Sequence, residues 1–260
     1  MMNSTQRINV TGAGYFPAMK DSGSTRTLEA NKMKKHSRYI PAFHFHWLTR
    51  WYDPMMRCFF PETGIKAALI AQAGIQPGQI VLDAGCGTGT LTLLIKQAEP
   101  DAAVYGLDMD FQALSIARAK TGKAGEIVAL QLGSAACLPY ADASFDRVFA
   151  SLMLHHLTRK DKQMMLREAF RVLKPGGELH VADFGAPHDA AMWLVSCFMR
   201  WFEEIHDHIL GLLPVFMADT GFDPVQETAR YRTLAGPISL YRAKKPGSNH
   251  SVREKKDIAA

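Results

Sequence analysis

The residues with the clearest chemistry are Asp83 and the run behind it, Ala84-Gly85-Cys86-Gly87-Thr88-Gly89. A carboxylate ends an apolar stretch, and three glycines at alternate positions follow. Such a backbone turns sharply and lets a ligand approach without a Cβ in the way. Beyond the turn, Leu91, Leu93, Leu94 and Ile95 have helix-like spacing, so the run reads as strand, tight loop and helix, with free N–H groups at the helix start. A dinucleotide fingerprint needs its third glycine where Thr90 stands, and here it comes one residue early, at Gly89. Asp83 would repel a pyrophosphate and would suit an ammonium group. The loop therefore reads as a site for a cationic nucleoside that carries an amino acid.

Other residues extend that chemistry. Asp108 lies 23 residues after Gly85, at the end of a second apolar run, where an acid can accept both hydroxyls of a ribose. Asp110 is a rival, but its position suits the N-cap of a helix over 111–120. His155 and His156 follow the fourth strand and are candidates for a general base; a structural role for this turn is the competing reading. Tyr52 is a third candidate. His206 and His208 are two apart and share no helical face, so no metal pair is expected.

At Asp83 to Gly89 the chain resembles the class I S-adenosylmethionine-dependent methyltransferases, whose first motif has this D-x-G-x-G-x-G form. Leu138-Pro139, Ser144-Phe145-Asp146 and the run from Arg171 to Leu179 are similar to the family's later segments, and Trp51-Tyr52-Asp53-Pro54 resembles an N-terminal element of its quinone-biosynthesis and related small-molecule branch. The resemblance covers residues 40–243. It implies S-adenosylmethionine as cofactor and S-adenosylhomocysteine as product. It implies that Asp83 and the backbone of Gly85, Cys86, Gly87, Thr88 and Gly89 hold the methionine end. Asp108 and Met109 would take the ribose side, Ser134 and Ala135 the adenine, and Ser151 would line the crevice. The family usually has Asp where Ser134 stands.

These residues need a frame. Short apolar runs alternate with amphipathic helices, and two terminal strands surround Ala235-Gly236-Pro237. The expected fold is a Rossmann-like, doubly wound α/β sheet of seven strands, mostly parallel, with a terminal antiparallel hairpin and a helical N-terminal lid. Strands are expected at 79–82, 103–107, 127–132, 147–150 and 178–182, the last behind a turn at Lys174-Pro175-Gly176-Gly177. Residues 39–243 form the domain, with lid helices at 39–64 and a variable cap at 184–218. In the cap, a helix over 192–202 precedes a second over 209–217 that Pro214 breaks. Residues 1–38 and 244–260 are expected to be flexible tails.

Composition narrows the partners. The net charge of +5 is concentrated in the tails: residues 1–38 hold seven basic and two acidic residues, and 244–260 hold five and two. The body between them has 18 basic against 21 acidic residues, which argues against a nucleic-acid face. Cys58, Cys86, Cys137 and Cys197 show no paired spacing, as expected of a reducing compartment and of a chain without a zinc site. No signal peptide and no spanning segment are evident. The expectation is a cytoplasmic protein, with peripheral membrane contact left open, that acts on a small hydrophobic acceptor such as a quinone precursor, lipid or aromatic metabolite. An RNA or protein methyltransferase, or a non-catalytic cofactor-binding protein, are the rivals; a nicotinamide oxidoreductase is disfavoured by Asp83 and Thr90.

Overall fold

A computed structural model of the chain describes residues 62–199 and 205–247. The expected N-terminal tail, residues 248–260 of the C-terminal one, the greater part of the lid segment and Tyr52 lie outside the described residues; Lys244, expected in the tail, closes the last strand of the sheet, and Lys245 N donates to Gly177 O at 2.9 Å.

The strands are β1 (Ile80–Ala84), β2 (Ala103–Asp108), β3 (Ala129–Leu132), β4 (Phe145–Ser151), β5 (Leu173–Phe184), β6 (Val225–Thr233) and β7 (Gly236–Lys244). The helices are α1 (Glu62–Ala73), α2 (Thr90–Ala98), α3 (Phe111–Lys123), α4 (Arg159–Val172), α5 (Ala190–Met199), α6 (His206–Ile209) and α7 (Leu213–Thr220), with a 3₁₀ turn at Leu154–His156. The strands form one sheet in the order β3-β2-β1-β4-β5-β7-β6. The first five run parallel, and β7 is antiparallel to both β5 and β6. This is the expected doubly wound sheet with its terminal hairpin.

All five residues of β1 are buried, because helices cover both faces of a parallel sheet. Leu82, Val148 and Val181 point to one face, where Met165, Leu166 and Met217 of α4 and α7 cover them. Val81, Phe149 and Ala182 point to the other, against Ile65 and Leu69 of α1 and Ile95 of α2. Strand order reverses between β1 and β4, so the crevice for a ligand opens beyond their carboxyl ends.

Three expectations need correction. Strand β5 starts at Leu173, not Glu178: Leu173 pairs with Phe145, the ladder skips the expected turn, and pairing resumes at Glu178 opposite Arg147. Gly176, with φ of 80°, absorbs the extra length. Pro214 opens α7 instead of breaking a longer helix, because a first-turn residue needs no intrahelical N–H partner. The stretch before it is therefore a separate four-residue helix, α6.

Candidate active site

The loop after β1 is pinned from three sides. The N–H groups of Gly85 and Cys86 both donate to Leu107 O, at 2.7 and 2.9 Å. Gly87 N donates to Asp108 Oδ2 at 2.7 Å. All three glycines have positive φ. A Cβ on Gly85 would lie 2.9 Å from the Met153 side chain, and one on Gly89 would lie 2.7 Å from Ala117 Cβ. Gly85 thus admits the turn after β4, and Gly89 admits α3. Lys120 of α3 donates to Thr88 Oγ1 at 3.2 Å and to Thr90 Oγ1 at 2.7 Å, fastening the loop's far end. Burial pushes the Cys86 thiol up, so it stays protonated, and its sulfur packs against Gly106 of β2.

Two acids flank the loop. Asp83 is 1% exposed, and its Oδ2 accepts from Thr92 Oγ1 of α2 at 2.7 Å. Burial raises its pKa to about 6, against the lowering effect of the Thr92 hydroxyl. Asp108 accepts from Gly87 N and, through Oδ1, from Asp110 N at 2.8 Å. Its pKa is also raised by burial. Asp110 caps α3, accepting from Gln112 N at 2.8 Å, so Asp110 serves the helix while Asp108 faces the loop. Two carboxylates held above their ordinary range are stabilised by a cation brought between them.

The remaining cofactor candidates gather around the same strand ends. Met109 is 42% exposed beside Asp108. Ser134 and Ala135 follow β3; the Ser134 hydroxyl accepts from Ala136 N at 3.3 Å, and Ala135 is buried. Ser151 ends β4, and its hydroxyl oxygen is buried without a hydrogen-bond partner among the described residues. An orphaned hydroxyl beside a glycine cradle and two raised acids fits a ligand that brings its own polar groups.

The turn after β4 is built on Asp183, the penultimate residue of β5. Its Oδ2 accepts from Met153 N at 3.1 Å and Leu154 N at 2.8 Å; its Oδ1 accepts from Phe184 N at 2.8 Å and is 2.7 Å from His155 Nδ1. Burial alone would raise this carboxyl, but His155, His208 and the backbone donors hold it below the ordinary range. His155 is buried between His156, 4.0 Å away between ring centroids, and Phe184, at 4.8 Å. It is a clamped ring. His156 is only partly buried. Leu152, between Ser151 and this turn, takes a left-handed φ of 53° and donates its N–H to Ala182 O at 2.8 Å; such a conformation persists only where its surroundings impose it.

Two residues of this arrangement had no role in the sequence reading. Asp183 was visible only as the residue after the fifth expected strand, and His208 only as half of a rejected metal pair. His208 of α6 donates Nδ1–H to Phe184 O at 2.8 Å and lies 4.0 Å from Asp183 Oδ1. Its helix is tied to α4 by Asp207, which accepts from Arg159 Nε at 2.8 Å and stands 3.4 Å from buried Lys162 Nζ. Among the described residues no group of three side chains is arranged to hold a metal.

Comparison with known proteins agrees with this geometry. Residues 81–177 match a family described as a methyltransferase domain. A ubiquinone/menaquinone biosynthesis C-methyltransferase of Bordetella avium is 39% identical over 120 residues, 46% of this chain and 46% of that protein. The chain thus spans about half the length of that curated relative. A protein of the same description from Salmonella arizonae is 29% identical over 260 residues, 87% of this chain and 99% of its own. The chain belongs to the class I S-adenosylmethionine-dependent methyltransferases. A phosphoethanolamine N-methyltransferase of Haemonchus contortus, solved with S-adenosylhomocysteine, shares the methyltransferase fold at TM-score 0.59 and 17% identity, over 70% of this chain and 52% of that one.

Proposed function

We propose that this methyltransferase moves a methyl group from S-adenosylmethionine to a carbon of a small hydrophobic acceptor of the quinone-precursor type. The observation that carries the donor half is the pair Asp83 and Asp108 around the left-handed glycine loop, both raised by burial. Asp83 and the backbone of residues 85–89 take the amino-acid end, Asp108 and Met109 the ribose, Ser134 and Ala135 the adenine, and Ser151 the gap at the end of β4. When bound, the donor supplies a methyl already activated by its sulfonium charge. The chain's own residues then chiefly align the reactants and exclude water.

The acceptor half rests on the relatives described as quinone-biosynthesis C-methyltransferases, and on the apolar and histidine-lined wall of Met153, Leu154, His155 and Phe184. Of the base candidates, His155 is committed to Asp183, so it positions the turn. His156 retains partial exposure at the crevice. No helix among the described residues is long and apolar enough to cross a membrane, so a lipophilic acceptor would be met from the aqueous side or at a bilayer surface.

The test is incubation with methyl-labelled cofactor and a lipid-plus-metabolite extract, followed by mass spectrometry. Label in a ring-bearing lipophilic product supports the reading. Label only in RNA or protein, or in nothing, rejects it.

A further inference from the structure

α5 is apolar where it meets solvent. It carries no charged residue in its ten positions, Ala190 to Met199. Met192 and Ser196, one turn apart, are its buried side. Trp193 and Leu194 remain 57% and 67% exposed, and the tip of the β6–β7 hairpin adds Leu234, at 74%. These residues belong to one surface. Arg232 Nη2, near the tip, lies 3.4 Å from Asp189 Oδ2, and Asp189 Oδ1 accepts from Met192 N at 2.8 Å in the first turn of α5. A Cβ on Gly236 would lie 3.9 Å from Ser196 Oγ. α5 therefore runs along the tip from Arg232 to Gly236, and Leu234 stands between the two contacts. β7 pairs Ile238 with Phe184, so the tip lies at the carboxyl end of the sheet, where the crevice opens.

The charge beside this surface selects its partner. Residues 39–243 hold 18 basic and 21 acidic residues. Of these, 225–243 hold Arg230, Arg232 and Arg242 against Glu227 alone, which leaves 15 basic against 20 acidic residues elsewhere. The exposed apolar helix thus lies against the basic part of an acidic body. Arg230 and Arg232 pair with Ser239 and Pro237 across the hairpin, close to its tip. Apolar side chains ringed by cations suit an anionic bilayer surface. At 1.5 Å per residue α5 is about 15 Å long, half of a bilayer's hydrocarbon thickness, so it can lie in the interface and cannot cross. We infer that α5 and the β6–β7 tip dock on an anionic lipid bilayer, with Trp193, Leu194 and Leu234 inserted at the level of the headgroups and Arg230 and Arg232 facing lipid phosphates. The amphipathic ring of tryptophan settles at that depth. This docking goes beyond the reaction proposed above and needs no acceptor, so vesicles that contain none test it, and its failure leaves that reading standing.

The test uses the full chain with vesicles of phosphatidylcholine and of an equimolar mixture with phosphatidylglycerol. Sedimentation should show binding to the mixed vesicles well above that to phosphatidylcholine alone. Leu194→Glu combined with Leu234→Glu should weaken it about a hundredfold, and Arg232→Gln about fivefold, with the affinity for S-adenosylhomocysteine kept as the sign of a folded chain. Vesicles brominated in their acyl chains should quench tryptophan emission, and Trp193→Phe should remove that quenching. Binding that the double variant leaves unchanged, as the basic tails alone would give, overturns the inference. So does an absence of binding: a footprint that shields Trp193 in the free chain would then give this face to residues 39–60, and shielding that grows with protein concentration would give it to a second copy. Should the double variant fail to fold, the quenching lost in the conservative Trp193→Phe still decides.

Discussion

Asp183 Oδ1 lies 2.7 Å from His155 Nδ1, joining the end of β5 to the turn after β4 across 28 residues of sequence. The same carboxylate accepts three backbone N–H groups. Removing it leaves those donors and a buried ring without a partner. Asp183→Ala should cost about 3–5 kcal/mol of stability in urea denaturation, and Asp183→Asn distinctly less. Because the folded pKa is lowered, this stabilisation is present above the ordinary carboxylate range and is lost as pH falls through the folded value. Equal losses in the two variants would show that the contacts which the single Asn oxygen can still accept do not matter.

Asp83 has the opposite sign. Its folded pKa is raised from 3.8 to about 6, so the stability that it allows is complete below 3.8 and is lost as pH rises through about 6. Asp83→Asn keeps an acceptor for Thr92 Oγ1 and removes the buried charge. It should be more stable than the parent at pH 8, by on the order of 3 kcal/mol, with the gap closing towards pH 4. It should also bind cofactor more weakly. Thermal melts across that range and calorimetry with S-adenosylhomocysteine check both halves; a gap independent of pH would mean that the carboxyl is not buried as charge.

Asp108 and Asp110 should separate cleanly. Asp108→Ala removes the acceptor for Gly87 N and the proposed ribose contact, and should weaken S-adenosylhomocysteine roughly 10- to 100-fold. Asp110→Ala removes the α3 cap and should cost about 1 kcal/mol of stability with affinity nearly kept. Calorimetry on the two variants decides, and equal affinities would reject the assignment of Asp108.

Gly89 and Ala117 form a testable pair. A methyl at Gly89 meets Ala117 Cβ at 2.7 Å and also forces a left-handed residue. Gly89→Ala should cost about 2–4 kcal/mol. In a double-mutant cycle, Ala117→Gly should return the steric part as a coupling of about 1 kcal/mol. Zero coupling would place the whole cost in the backbone conformation.

The glycine loop and the acids beside it were largely legible in the chain. These residues sit close together, in a loop whose glycine spacing carries its own geometric reason, and the sheet follows from runs with clear period. The cluster around Asp183 was not. Asp183 and His208 acquire meaning only when β5, the 3₁₀ turn and α6 meet, and their partners are 28 and 24 residues away. Local pattern also misjudged where β5 begins: Lys174 to Gly177 bulges from the ladder, with Gly176 left-handed, while pairing continues on both sides of it. Pro214 misled for a related reason: proline marks a helix start as readily as a break.

The order reversal between β1 and β4 has an evolutionary consequence. Every residue assigned to the donor, Ser151 apart, lies between Asp83 and Ala135, on strands β1 to β3 and the loops after them. The opposite wall is drawn from chain segments that begin after β4 and end with α6. On the site proposed above, drift or recombination within 184–212 would rewrite what is modified and leave the source of the methyl group intact, so a lineage of such proteins could diversify in product while inheriting a single socket.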